Sequence, residues 1–195
     1  INYRANLRAL REVGCRLIAA TNAVGSLRAT MEPGDLVLPD QFLDMTKLRP
    51  TTFFDGEDRE VRHVDVTHPY CERLRAQILP ILERYDLPAH PAGTYICTEG
   101  PRFETPAEIR AYAQWGADVV GMTGVPEVVL ARELGMCYVT LCLVTNYGAG
   151  IGSGPITSEE IADIAARRRT ALDSARREIA LTLQDDGHCA CHQWW

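Results

Sequence analysis

Apolar positions along the chain follow two alternating rhythms, short unbroken runs and stretches spaced three to four residues apart. Leu7, Leu10 and Val13 recur at helical spacing, which predicts a helix over residues 3–13 that Gly14 ends. The run at 17–20 reads as a buried strand, followed by a Gly-containing turn over 21–26. Residues 35–38, ahead of Pro39, give a second strand. Residues 41–62 are polar, contain an Asp55-Gly56 turn and read as an excursion over the surface or along an interface. A helix over 69–85 rests on Leu74, Ile78, Ile81, Leu82 and Tyr85, and Pro80 within it predicts a kink or a break into two pieces. Strands at 94–97, 118–122 and 137–144 then alternate with helices at 105–115 and 126–134. In the last helix Thr157 and Glu160 make a capping box, and Ile161, Ile164, Ala165, Ala171, Leu172, Ala175, Ile179 and Leu183 trace one face.

Continuous rather than alternating apolar runs are what a sheet covered on both faces requires, so the class is α/β, with a central mixed sheet flanked by helices. At 195 residues the chain can bury the core of one domain, assigned to residues 1–184, with 185–195 as a C-terminal tail. Twenty basic residues against 26 acidic ones leave a net charge of −6. The basic residues are scattered except for Arg167-Arg168-Arg169, which reads as the solvated face of a helix rather than a phosphate site, so nucleic-acid binding is not expected. The longest apolar runs are too short to cross a bilayer and no N-terminal signal is visible. Seven cysteines form an odd set, three of them (Cys97, Cys137 and Cys142) inside apolar runs where a thiol packs as a small hydrophobe, and a cytoplasmic setting is expected.

In α/β sheets ligands collect where strands run out into loops, and three such places are rich in polar or small residues: 21–26, 98–104 and 145–150. The small residues of 21–26 either offer backbone N–H groups to an anion or form a plain tight turn. Phe103-Glu104 sets an aromatic face beside a carboxylate, fit to stack on a base and accept from its edge. The same pair also suits a core phenylalanine and an acid facing the N-terminus of a helix. Met122-Thr123 and Thr145-Asn146 place soft or polar side chains where apolar runs stop. Together these residues look like a purine nucleoside site.

Five segments carry a family resemblance: Asn2-Tyr3-Arg4-Ala5-Asn6, residues 21–27, Glu99-Gly100-Pro101-Arg102-Phe103-Glu104-Thr105, residues 116–123, and Val125-Pro126-Glu127-Val128. In this order they resemble the trimeric purine nucleoside phosphorylases and methylthioadenosine phosphorylases, over residues 2 to 184. The resemblance implies phosphorolysis, in which inorganic phosphate attacks the anomeric carbon of a purine nucleoside and releases free base and a sugar 1-phosphate. It implies no metal or organic cofactor, phosphate being a co-substrate, and a homotrimer or dimer of trimers. It places Ala23 and Thr123 at phosphate, Met122 at the sugar, Phe103 against the base, and Glu104 and Asn146 at the base edge. His63 falls in a segment that, by the same resemblance, reaches a neighbouring subunit's 5′ group; an ordinary surface histidine is the other reading.

The base can be argued from charge. A 6-oxopurine presents N1–H, which Glu104 can accept, whereas adenine presents a lone pair there and would leave a buried carboxylate unpaired. That costs on the order of a few kcal/mol, or roughly 100-fold in discrimination. Members that resemble adenine-specific methylthioadenosine phosphorylases carry an aspartate in place of Asn146 and a small hydroxyl residue in place of Glu104. The wording of residues 2–6 and Tyr70-Cys71 is nevertheless nearer to that branch. The mixture is similar to enzymes acting on 5′-methylthioinosine, inosine or guanosine, with methylthioadenosine phosphorylase as the alternative.

One departure bears on activity. Family members begin with a strand, a glycine-rich phosphate loop and an Arg-His segment, whereas this sequence opens at Ile1-Asn2-Tyr3. The N-terminal strands and phosphate ligands are therefore expected to be missing, with activity greatly reduced or only purine binding and oligomer contacts retained. At the other end, His188-Cys189-Ala190-Cys191-His192 has ligand chemistry for zinc, but so short a span cannot arrange four ligands tetrahedrally without a second segment. A mobile tail and no metal are expected, with Trp194-Trp195 in the tail or a subunit contact.

Overall fold

Two long strands run side by side through the middle of the molecule. β1 (Leu17–Ser26) and β7 (Cys137–Tyr147) pair in parallel from Leu17↔Cys137 to Ser26↔Tyr147. The computed structural model describes residues 1–56 and 60–193; Trp194 and Trp195 lie outside them. Around the central pair are β2 (Leu36–Val37), β3 (Gln41–Met45), β4 (Ala89–His90), β5 (Thr94–Thr98) and β6 (Val119–Gly121). They form one mixed sheet in the order β3-β5-β6-β1-β7-β2-β4, with β6 and β2 antiparallel to the central pair.

β7 explains why its sequence reads as an unbroken apolar run: residues 137–146 are all buried, and they face two different cores. Tyr138, Cys142 and Val144 join one cluster with α1 (Tyr3–Glu12) and α4 (Glu127–Glu133), through Leu7, Val128 and Leu130. Cys137, Val139, Leu141 and Leu143 join the other with α2 (Glu72–Arg84) and α5 (Ser158–Thr182), through Leu74, Ile78, Leu172 and Ile179. A third, smaller cluster seats α3 (Pro106–Gln114) by Ile109 and Tyr112 against Ile96 and Val120. The α/β expectation of a mixed sheet with helices on both faces therefore holds.

Three local expectations are corrected. Residues 21–26 are not a turn but the second half of β1, because every residue there finds a ladder partner on β7. The polar excursion begins as a strand: β3 pairs in parallel with β5 from Gln41↔Thr94 to Met45↔Thr98 and closes one edge of the sheet. α2 runs unbroken through Pro80, since Pro80 and Ala76, whose carbonyl loses its helical donor, are both exposed and water can take up that acceptor. Other boundaries move by a few residues, most usefully that of β7, which continues past Val144 through Asn146 to Tyr147. At the start of α5 the Thr157 hydroxyl accepts from Glu160 N–H, and Arg167 and Arg169 are exposed, with Arg169 3.9 Å from Asp173, as a solvated face requires.

The described part of the tail, residues 185–193, is docked rather than mobile. Asp185 pairs with Arg16 at 2.6 Å, His192 Nδ1 meets Gly135 O at 2.8 Å, and Cys191 is buried in a single 3-10 turn, Ala190–His192.

Candidate active site

The register of the central pair slips between Val24↔Val144 and Gly25↔Asn146, leaving Thr145 as an extra residue on β7. Such a bulge re-aims the side chains around it. The Thr145 hydroxyl lies 3.0 Å from Asn146 Oδ1 and 3.3 Å from Val24 O; with a single proton to give, it serves the nearer amide oxygen. Asn146 Nδ2 donates to Tyr147 O at 2.9 Å, so both ends of the amide are fixed while one N–H remains for a ligand. Gly25 makes room: a Cβ there would stand 3.2 Å from Asn146 Nδ2.

β5 and β6 are parallel neighbours and run out together, β5 into residues 99–104 and β6 into Met122 and Thr123. On the first exit Thr98 Oγ1 donates to Glu104 Oε1 at 2.7 Å, and Glu104 is 9% exposed. The chain is then locked by a reciprocal capping box at the start of α3. Thr105 Oγ1 accepts from Glu108 N–H and the Glu108 carboxylate accepts from Thr105 N–H. Arg102 forks onto both oxygens of Glu108 at 2.7 and 2.8 Å and holds that carboxyl down at about 2, well below its ordinary value. Phe103, between these anchors, is 46% exposed. Gly100 has φ +69°, a left-handed conformation that favours glycine, and a Cβ on it would lie 2.6 Å from Met122 Sδ and push that side chain aside.

On the second exit Tyr95 OH accepts from the backbone N–H groups of Thr123 and Gly124, each at 3.2 Å. Burial pushes the Tyr95 phenol well above its ordinary range, so it stays neutral while it does so. Arg49 ties both exits together. Its guanidinium donates to Val125 O at 2.6 Å, Thr98 O at 3.1 Å and Glu99 O at 3.0 Å, and it lies 5.7 Å from the Tyr3 ring centroid. Local sequence gives no sign of Arg49, which stands alone between Leu48 and Pro50 in the polar segment; its role is set by carbonyls 49 to 76 residues away.

These elements enclose a cleft of about 280 Å³. Ala23, Phe103, Glu104, Met122, Thr123 and Asn146 all line it, with Ile156 and Ile161 closing it from the N-terminal side of α5. Six of the seven residues singled out from sequence thus meet in one place. His63 does not: it is exposed, in a stretch without regular structure, and is absent from the lining. Among the described residues lining the cleft there is no lysine, arginine or histidine. The geometry offers a buried carboxyl acceptor, an amide donor and an aromatic ring around one cleft.

The family model described as the phosphorylase superfamily matches residues 1–179. The chain belongs to that superfamily. The 6-oxopurine nucleoside phosphorylase of Pyrococcus furiosus is 52% identical to this phosphorylase over 196 residues, covering 98% of this chain and 74% of the relative. The probable S-methyl-5′-thioinosine phosphorylase of Methanopyrus kandleri is 52% identical over 194 residues, covering 99% and 75% respectively. Among solved structures, methylthioadenosine phosphorylase from Schistosoma mansoni in complex with adenine superposes with a TM-score of 0.88 at 30% identity, over 96% of this chain and 73% of that one. The described residues contain no helix long and apolar enough to cross a membrane.

Proposed function

We propose that this protein is a purine nucleoside phosphorylase for 6-oxopurine nucleosides, converting inosine, guanosine or 5′-methylthioinosine to free base and ribose 1-phosphate or its 5-methylthio counterpart. The observation that carries the reading is the convergence of the buried Glu104 carboxylate and the oriented Asn146 amide on one cleft beside Phe103. Relatives about half identical, named for 6-oxopurine nucleosides and S-methyl-5′-thioinosine, support it.

In the reaction a phosphate oxygen forms a bond to C1′ while the C1′–N9 bond breaks and its electron pair moves into the purine. Phe103 packs against the base, Glu104 accepts N1–H, and the remaining N–H of Asn146 donates to N7 with O6 beside it. That donor is fixed before negative charge builds on the departing base, so little reorganisation is needed as the transition state forms. An amide does not give up a proton near neutral pH, so Asn146 acts by hydrogen bonding and not as a general acid. Met122 borders the sugar, and Ala23 and Thr123 border phosphate through their backbone and hydroxyl donors. No metal or organic cofactor enters these steps. We infer a trimeric assembly, in which the exposed His63 serves a neighbour's 5′ group instead of its own cleft.

The test is phosphate-dependent hypoxanthine release from inosine and 5′-methylthioinosine, run beside adenine release from methylthioadenosine across a wide range of phosphate concentrations. Hypoxanthine should dominate and require phosphate, at high concentration because none of the described residues lining the cleft is a cation. Adenine as the main product would overturn the roles of Glu104 and Asn146. The same lack of a bordering cation favours a second reading, purine binding without turnover; base binding with no release at any phosphate concentration would establish it.

A further inference from the structure

Four cysteines from three separate parts of the chain converge far from the nucleoside cleft. Cys71 is the residue before α2, Cys137 is the first residue of β7, and Cys189 and Cys191 flank Ala190 in the docked tail. Their four sulfurs all lie within 4.8 Å of one another, and Cys71 Sγ and Cys189 Sγ are 3.7 Å apart. All four are free thiols, three of them buried and Cys189 half-buried.

An ordinary core thiol packs as a small hydrophobe, and Cys142 is buried in this way in the cluster with Tyr138 and Val144. A disulfide brings two sulfurs to about 2.05 Å, and four such cysteines could make two of them, but here all four are free thiols. A metal ion bound by four thiolates at about 2.3 Å holds every pair of sulfurs roughly 3.8 Å apart, which is the scale seen here. The surroundings also suit a group of thiolates. Arg73 Nη2 approaches Cys137 Sγ to 3.9 Å, and the His192 ring, fixed by Gly135 O and Asp185 Oδ1, reaches 3.8 Å from the same sulfur. N–H groups and positive charge next to ligating sulfurs are the usual outer layer of such a site. The short His188-Cys189-Ala190-Cys191-His192 span lacks a second segment of its own, and Cys71 and Cys137 supply it.

We propose that Cys71, Cys137, Cys189 and Cys191 bind one zinc ion as a closed tetrathiolate. Four thiols give up four protons on binding Zn²⁺, leaving two units of negative charge that Arg73 partly offsets. All-sulfur, tetrahedral surroundings select a soft or borderline cation over magnesium or calcium. With four protein ligands the site has no open position, so its work is structural: it fastens the tail to the starts of α2 and β7. Cys137 stands nine residues before Asn146 on β7, about 30 Å along the strand, so the zinc takes no part in base recognition.

The test starts from the whole chain purified with reductant and without chelator, then given Zn²⁺ alone. Native mass spectrometry should show one zinc per chain, four of the seven thiols should become protected from alkylation, and Co²⁺ in its place should give the visible absorption of a tetrahedral thiolate complex. Cys191→Ser, at a tail position outside the sheet, should weaken zinc binding at least about 100-fold and abolish the rise in melting temperature that zinc produces in the parent. Should that variant fail to fold, the parent's metal content and thiol protection still decide. Reduced parent that retains no zinc against a weak chelator would overturn the proposal. So would a mass about 4 Da below the all-thiol value, with both bridges mapped within these four residues.

Discussion

Replacing Glu104 by glutamine changes one atom and removes one charge, which makes it the sharpest probe of base recognition. Glu104 is 9% exposed and its Oε1 is taken by the Thr98 hydroxyl at 2.7 Å, so the second oxygen is the one available to a ligand. A hydrogen bond from purine N1–H to a carboxylate contributes about 1.5–3 kcal/mol and one to a neutral amide about 0.5–1.5 kcal/mol. Hypoxanthine should therefore bind Glu104→Gln more weakly by about 1–1.5 kcal/mol. Adenine changes the other way. Its N1 lone pair leaves the wild-type carboxylate unpaired, at a cost of about 1–3 kcal/mol, and the glutamine amide relieves this by donating to N1. The two effects add to about 2–4.5 kcal/mol, so the ratio of hypoxanthine to adenine affinity should fall by between about 30-fold and 2000-fold. Calorimetric titration of both bases into both proteins measures the ratio without requiring turnover, and unchanged thermal unfolding controls for the fold. An unchanged ratio, or a wild-type preference for adenine, would refute the reasoning.

Three further outcomes follow from the same geometry. Asn146→Asp turns a donor into an anion facing the N7 and O6 lone pairs, so hypoxanthine affinity should drop at least about 10-fold while adenine, with its N6 amino group, loses less; the same titrations check it. Arg49→Lys leaves one ammonium where a fork spans Val125, Thr98 and Glu99 carbonyls, and should lower unfolding free energy by about 1–3 kcal/mol, read from denaturant midpoints at constant slope. Glu108→Gln tests the capping box: the folded carboxyl lies at about 2 against an ordinary 4.5, so its contribution is present above 4.5 and is lost as pH falls towards 2. The variant should therefore melt below the parent at pH 7, and the gap should close over that window.

The sequence revealed the architecture best where burial is two-sided. β7 faces two cores, so its apolar run announced a covered sheet, and the capped, periodic α5 announced itself in the same way. It failed where pairing overrides composition. Thr21, Asn22 and Ala23 look like turn residues, yet β7 supplies a ladder partner to each; Gln41 to Met45 look like surface and become an edge strand on β5. The cleft residues were legible because soft and polar side chains stood where apolar runs stopped. Arg49, the Thr145 bulge and the partners of the Cys189-Ala190-Cys191 tail were not legible, since each depends on contacts between distant segments.

A crystal structure with hypoxanthine bound would show whether the cleft reads a 6-oxopurine through Glu104 and Asn146, as proposed. The base should lie against Phe103, with N1 within hydrogen-bond distance of the Glu104 carboxylate and N7 facing the Asn146 amide. Hypoxanthine turned so that its N1 edge points away from Glu104, or seated outside the cleft altogether, would contradict it.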